Sequence, residues 1–160
     1  MYVMFTLMIF VGAIVLQTSV LDLVAIKGIK PDLVLLMVVY LGLVKGSDIG
    51  CTSGFFFGLV EDIFSGVYFG SNALTKTIIG FFCGASGKRL YTQSMLSQML
   101  CVGIGTVVNV ILLLSINGFG AQWTHQLLYE SLYNMLCCPL IVWIFRWGEK
   151  RFGKTPSSKF

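Results

Sequence analysis

The stretch "GFFFGLVEDIFSGVYFG", residues 54–70, sets two adjacent carboxylates, Glu61 and Asp62, in a strongly apolar neighbourhood punctuated by Gly54, Gly58, Gly66 and Gly70. Glycines four residues apart within apolar sequence mark a helix built for lipid. No hydrophobic effect drives helices together there, and small residues at i and i+4 let backbones approach closely. Gly50 extends the stripe backwards, so Gly50, Gly54 and Gly58 form a packing face on one helix. At about 100° per residue, Glu61 falls about 20° from the centre of that stripe, Asp62 about 80° from it, and Phe56 almost opposite. Phe56 therefore faces lipid and the acids face protein. Two readings of the acids follow: intramembrane groups on or beside a buried face, or caps of the helix in the outer headgroups.

Composition carries the membrane reading over the whole chain. Of 160 residues 56% are hydrophobic and 11% charged, with a mean hydropathy of +0.86, whereas a soluble domain is about 25% charged. The expected class is an all-α integral membrane protein. The opening "MYVMFTLMIFVGAIVLQTSVL" has no basic n-region and no A-x-A-like cleavage site, so it reads as a retained first span. Crossing about 30 Å of hydrocarbon takes about 20 apolar residues, and candidate spans lie near residues 3–23, 30–44, 48–64, 70–87, 94–116 and 125–146. The second to fourth are short and depend on tilt or on burial against neighbours.

Charge placement supports a six-span bundle with both termini cytoplasmic. Lys45, Lys88, Arg89, Arg146, Lys150, Arg151, Lys154 and Lys159 then lie inside, against Lys27 and Lys30 outside, as the positive-inside rule requires. The transmembrane domain is expected over residues 1–147 and a flexible basic cytoplasmic tail over 148–160. That tail sets topology or binds anionic lipid. Trp123, Trp143 and Trp147 fall where aromatic belts form, and Pro139 is expected to kink the last span.

Lys76 in "NALTKTIIGFF" sits about two turns into a span with apolar flanks, so it must pair or snorkel. Glu130 lies at comparable depth from the same side, and a Lys76–Glu130 pair is geometrically possible but not established by the sequence. With Asp32, Glu61 and Asp62 these residues make an outer polar cluster. The single His125, no C-x-x-C among the five cysteines, and no P-loop or dinucleotide fingerprint argue against an enzyme, a metal site, a cofactor or a nucleic-acid partner. The cysteines read as small packing residues.

The order Pro31-Asp32, Gly54-Phe55, Gly58-Leu59, Asp62, then Gly70 with Asn72, Ala73 and Leu74 resembles the rod shape-determining protein MreD family. Gly70 joins Gly50, Gly54 and Gly58 as a candidate packing or partner-interface residue; the resemblance assigns no role to Lys76 or to the doubling of Glu61 beside Asp62, and their reading rests on the residues alone. The resemblance implies a non-catalytic subunit of the bacterial cell-elongation machinery. Its partners would be the bitopic MreC, the filament MreB, the glycosyltransferase RodA and a class B penicillin-binding transpeptidase, and it would help position peptidoglycan synthesis along the sidewall. The family's fold is similar to the substrate-binding subunit of energy-coupling-factor transporters, which supplies the rival expectation: a vitamin-type ligand held near the outer face. A channel would need a polar stripe through a whole span, and none is visible in the sequence.

Overall fold

The computed structural model describes residues 2–19, 31–65, 69–87, 94–117 and 123–152. Among them the chain forms six helices: α1 (Tyr2–Ser19), α2 (Leu33–Lys45), α3 (Ser47–Ser65), α4 (Ser71–Gly87), α5 (Met95–Asn117) and α6 (Trp123–Phe152). The expected spans match these closely. The last helix runs further, through Gly148 to Phe152, into residues assigned to the tail; residues 153–160 lie outside the described ones, as do Lys27, Lys30, Lys88 and Arg89.

Local chemistry fixes the helix ends. Pro31 cannot donate to a preceding turn, and Asp32 caps α2 by accepting a hydrogen bond from Leu35 N–H at 2.8 Å. The only residue between α2 and α3 is Gly46, at φ 100°, in the left-handed region that glycine enters without penalty. Its N–H closes on Gly42 O (2.9 Å) while its carbonyl accepts from Gly50 N–H (3.0 Å). Gly70, at φ 94°, opens α4.

Apolar and polar surfaces are inverted relative to a soluble protein. Phe56, Phe82, Leu96 and Leu136 point outward with 58%, 62%, 75% and 71% of their surface exposed, whereas Lys76, Thr106, Asn109 and Asn134 are completely buried. Outside water, an apolar exterior is the stable one and buried polar groups must find one another. The segments Met95–Ile116 and Leu127–Arg151 are long and apolar enough to cross a membrane, and Val3–Ser19 and Leu33–Lys45 are shorter apolar helices.

At the centre stands α2, with every residue from Leu33 to Leu43 buried. Its 13 residues rise only about 20 Å, which suffices because protein rather than lipid surrounds it. Against it lies the closest pairing in the bundle, the antiparallel α3 and α4. A Cβ added to Gly58 would meet Ala73 Cα and Asn72 O at 2.6 Å, and one on Gly54 or Gly50 would strike the backbone at Lys76 or Gly80. Gly84 closes likewise on Ser47. The register holds at four levels over about three turns: 58 against 72–73, 54 against 76, 50 against 80, 47 against 84. Gly42 also belongs to this contact, its Cβ position lying 2.8 Å from Gly80 O. Gly70 does not: a Cβ there meets nothing within 4 Å, so its role is the turn.

Phe10 of α1 stacks on Phe57 of α3 with ring centroids 4.0 Å apart. Phe5 packs on Trp147 of α6 at 6.2 Å. The five cysteines are free thiols; Cys138 lies in the core, with Cys83, Cys101 and Cys137 packed against it.

Candidate functional site

The glycine contact between α3 and α4 decides where the charges go. Because Gly54 sits against the backbone of Lys76, Glu61, two turns further along α3, rises beside the ammonium that α4 carries. Lys76 Nζ pairs with Glu61 Oε2 at 2.6 Å and with Asp32 Oδ2 at 2.8 Å, and donates a third hydrogen bond to Asn72 Oδ1 at 3.2 Å. Three N–H groups thus meet three acceptors. The Lys76 side chain is 0% exposed, against 10% for Asp32 and 17% for Glu61.

This triad joins a chain of polar contacts that touches every helix. From α1, Gln17 Nε2 donates to Glu61 Oε1 at 3.1 Å. On the other side, the backbone N–H of Asp32 donates to Asn134 Oδ1 of α6 at 2.8 Å, and Asn134 Nδ2 donates to Thr106 Oγ1 of α5 at 3.0 Å. Gln17, Asp32, Glu61, Lys76, Thr106 and Asn134 therefore connect α1 to α6, with the cap of α2 and one residue from each of the other five helices. A buried network of this kind fixes one mutual arrangement of its elements, because sliding any helix leaves a buried group unpaired.

Asp62 does different work from its neighbour. Its carboxylate accepts from the backbone N–H of Gly70, Asn72 and Ala73, and from Asn72 Nδ2, each at 3.0 Å. It caps the start of α4 and places negative charge at the positive end of the helix dipole. Asn72 thereby links the cap to the triad. The adjacent acids are both explained: Glu61 neutralises Lys76, and Asp62 holds the turn that delivers Lys76.

Glu130 is buried one turn before Asn134 but is not a partner of Lys76, whose acceptors are Asn72, Asp32 and Glu61. The question the sequence left open, whether Lys76 pairs with Glu130, is answered by pairs with Asp32 and Glu61 instead. At that level α6 turns Asn134 towards Asp32. The sequence reading also passed over Gln17 and Thr106. For Gln17 a signal existed, an isolated amide near the end of the first apolar run; for Thr106 it was the recurrence of Gln98, Thr106 and Asn109 on one helical face.

A second polar contact closes the opposite end. Lys45 Nζ lies 2.9 Å from Glu149 Oε1, and Tyr40 Oη donates to Glu149 Oε2 at 3.2 Å. This joins the end of α2 to the last turns of α6. Among the described residues no group of His, Cys, Asp and Glu could hold a metal ion.

The model of the rod shape-determining protein MreD family matches residues 1–150. The chain belongs to that family. No curated protein and no solved structure matches it. Membership makes it a rod shape-determining membrane protein, associated with the rod-shape machinery. The motif residues that carried the resemblance prove to be joints of the bundle: Asp32 caps α2 and meets Lys76, Gly54 and Gly58 seat α4 on α3, and Asp62 binds the Gly70–Ala73 turn.

Proposed function

We propose that this chain is a non-catalytic, six-span subunit of the bacterial cell-elongation complex. It binds an MreC-like bitopic protein and helps position peptidoglycan synthesis along the sidewall, in one assembly with MreB, RodA and a class B penicillin-binding transpeptidase. The observation that carries this reading is the family match over residues 1–150. The geometry agrees with a scaffold: the charged groups satisfy one another inside, and the outward faces are apolar, suited to lipid and to partner helices. The glycines of the α3–α4 seam and the cluster of Asp32, Glu61, Asp62 and Lys76 then keep the bundle rigid for its partners.

The rival is a vitamin-type substrate-binding subunit, on a bundle resembling that of the energy-coupling-factor transporters. Against it stands the outer cluster itself, where each N–H of Lys76 is committed to Asn72, Asp32 or Glu61 and Asp62 is engaged by the Gly70–Ala73 turn, so these polar groups serve one another rather than a ligand. Depletion of the protein followed by microscopy tests the proposal. Cells should round up and sidewall synthesis should disperse. Cells that keep their width while losing uptake of one vitamin would assign the chain to the rival.

A further inference from the structure

Asn109 of α5 is completely buried, yet neither its Oδ1 nor its Nδ2 has a hydrogen-bond partner in the protein. An unsatisfied buried carboxamide is costly enough that native structures almost always partner it, with protein or with a bound molecule. Helix register shows what surrounds it. Thr106 meets Asn134 and Gly103 faces Met135, so on the antiparallel α5 and α6 Asn109 stands level with Ser131. Gly105 faces Ile79, which by the same rule puts Thr75 of α4 at the level of Asn109. Ser131 Oγ is likewise buried without a partner. Thr75 is completely buried, its hydroxyl donating to Asn72 O at 3.3 Å and so retaining lone pairs to accept with.

The neighbouring polar groups cannot supply what Asn109 lacks. Each N–H of Lys76 is committed to Asn72, Asp32 or Glu61, and Asn134 is held between Asp32 and Thr106. We infer that Asn109, Ser131 and Thr75 together bind a small neutral guest that both donates and accepts hydrogen bonds, of the size of one or two water molecules, inside the bundle between α4, α5 and α6. A carboxamide offers a donor and an acceptor side by side and Ser131 offers either, so the complement is a molecule with the same dual capacity. An ion is not the complement, because none of the three side chains is charged.

Water itself is the probe. In the full chain, reconstituted in lipid nanodiscs, magnetisation transfer from water to the Asn109 side-chain amide protons should appear at millisecond mixing times. An Asn109 amide that receives none overturns the inference. The second measurement is a double-mutant cycle. Asn109 and Ser131 are not hydrogen-bonded to each other, and a guest that bridges them couples their losses. Ser131→Ala should lower the thermal midpoint by about 2–4 °C in the native background and by less than half of that beside Asn109→Leu. Strictly additive losses overturn it. Where Asn109→Leu does not fold, the transfer experiment on the unaltered chain decides alone.

Discussion

Lys76 brings one positive charge into a buried site against two carboxylates, Asp32 and Glu61, and its removal strands both. Truncating one member of a buried ion pair costs about 3–5 kcal/mol, more than the pair itself contributes, because the remaining charge has lost its water and its partner. Lys76→Met should therefore sharply reduce the yield of folded protein and its detergent thermostability. Adding Glu61→Gln should restore part of the loss, a nonzero coupling in a double-mutant cycle. Glu130→Gln should add independently to Lys76→Met, since Glu130 is not among the lysine's acceptors. Rescue by Glu130→Gln and not by Glu61→Gln would mean that the charges pair differently. How much of this was legible follows from what a sequence can encode. Hydropathy and span ends give depth, so the need of Lys76 for a partner, and the membership of Asp32 and Glu61 in its cluster, could be read. Direction around the bundle depends on which helices are neighbours, and that is absent from any single span; Glu130 was chosen by depth alone.

The α3–α4 seam is where periodicity became structure most directly. Glycines at 50, 54 and 58 were readable as a face because the i, i+4 spacing is a local property of one helix, and the opposite placement of Phe56, 58% exposed, follows from the same rotation. The partner of the face was not readable, yet it is built from equally small residues, Ala73, Gly80 and Gly84. Gly70 shares the spacing but has open space at its Cβ position and a positive φ. Spacing alone cannot separate a glycine needed for contact from one needed for conformation. Gly54→Leu should abolish or strongly reduce folded protein, because its side chain would have to displace the backbone at Lys76 and with it the ammonium. Phe56→Leu, on the outward face, should change thermostability by less than about 1 kcal/mol, an ordinary volume-tolerant swap. Fluorescence-detected size exclusion of the two variants reads the contrast. Equal tolerance would show that the seam does not hold the bundle together.

At the scale of the whole molecule, successive helices alternate in direction and the two ends differ chemically. The Lys76 network gathers the start of α2, the end of α3 and the start of α4. The Lys45–Glu149 pair gathers the end of α2 and the end of α6, together with Arg146, Lys150 and Arg151 on the same last turns. The polar face of α5 was legible in the spacing of Gln98, Thr106 and Asn109 by two turns and one turn, whereas packing shows that this face is buried. The directional alternation gives the topology prediction its force. If the bundle spans the membrane with its Lys45 end in the cytoplasm, as the excess of Lys and Arg there requires, then reporters active only in the cytoplasm should work when fused after Lys45, after Arg89 and at Phe160, and should be silent when fused near Lys27 or Gly118. Because Lys45 and Glu149 are 2.9 Å apart, the first and last of the active fusions cannot lie on opposite sides of the membrane while this fold is intact. A cytoplasmic signal after Lys45 combined with a periplasmic signal at Phe160 would break both the six-span model and the end contact that closes it.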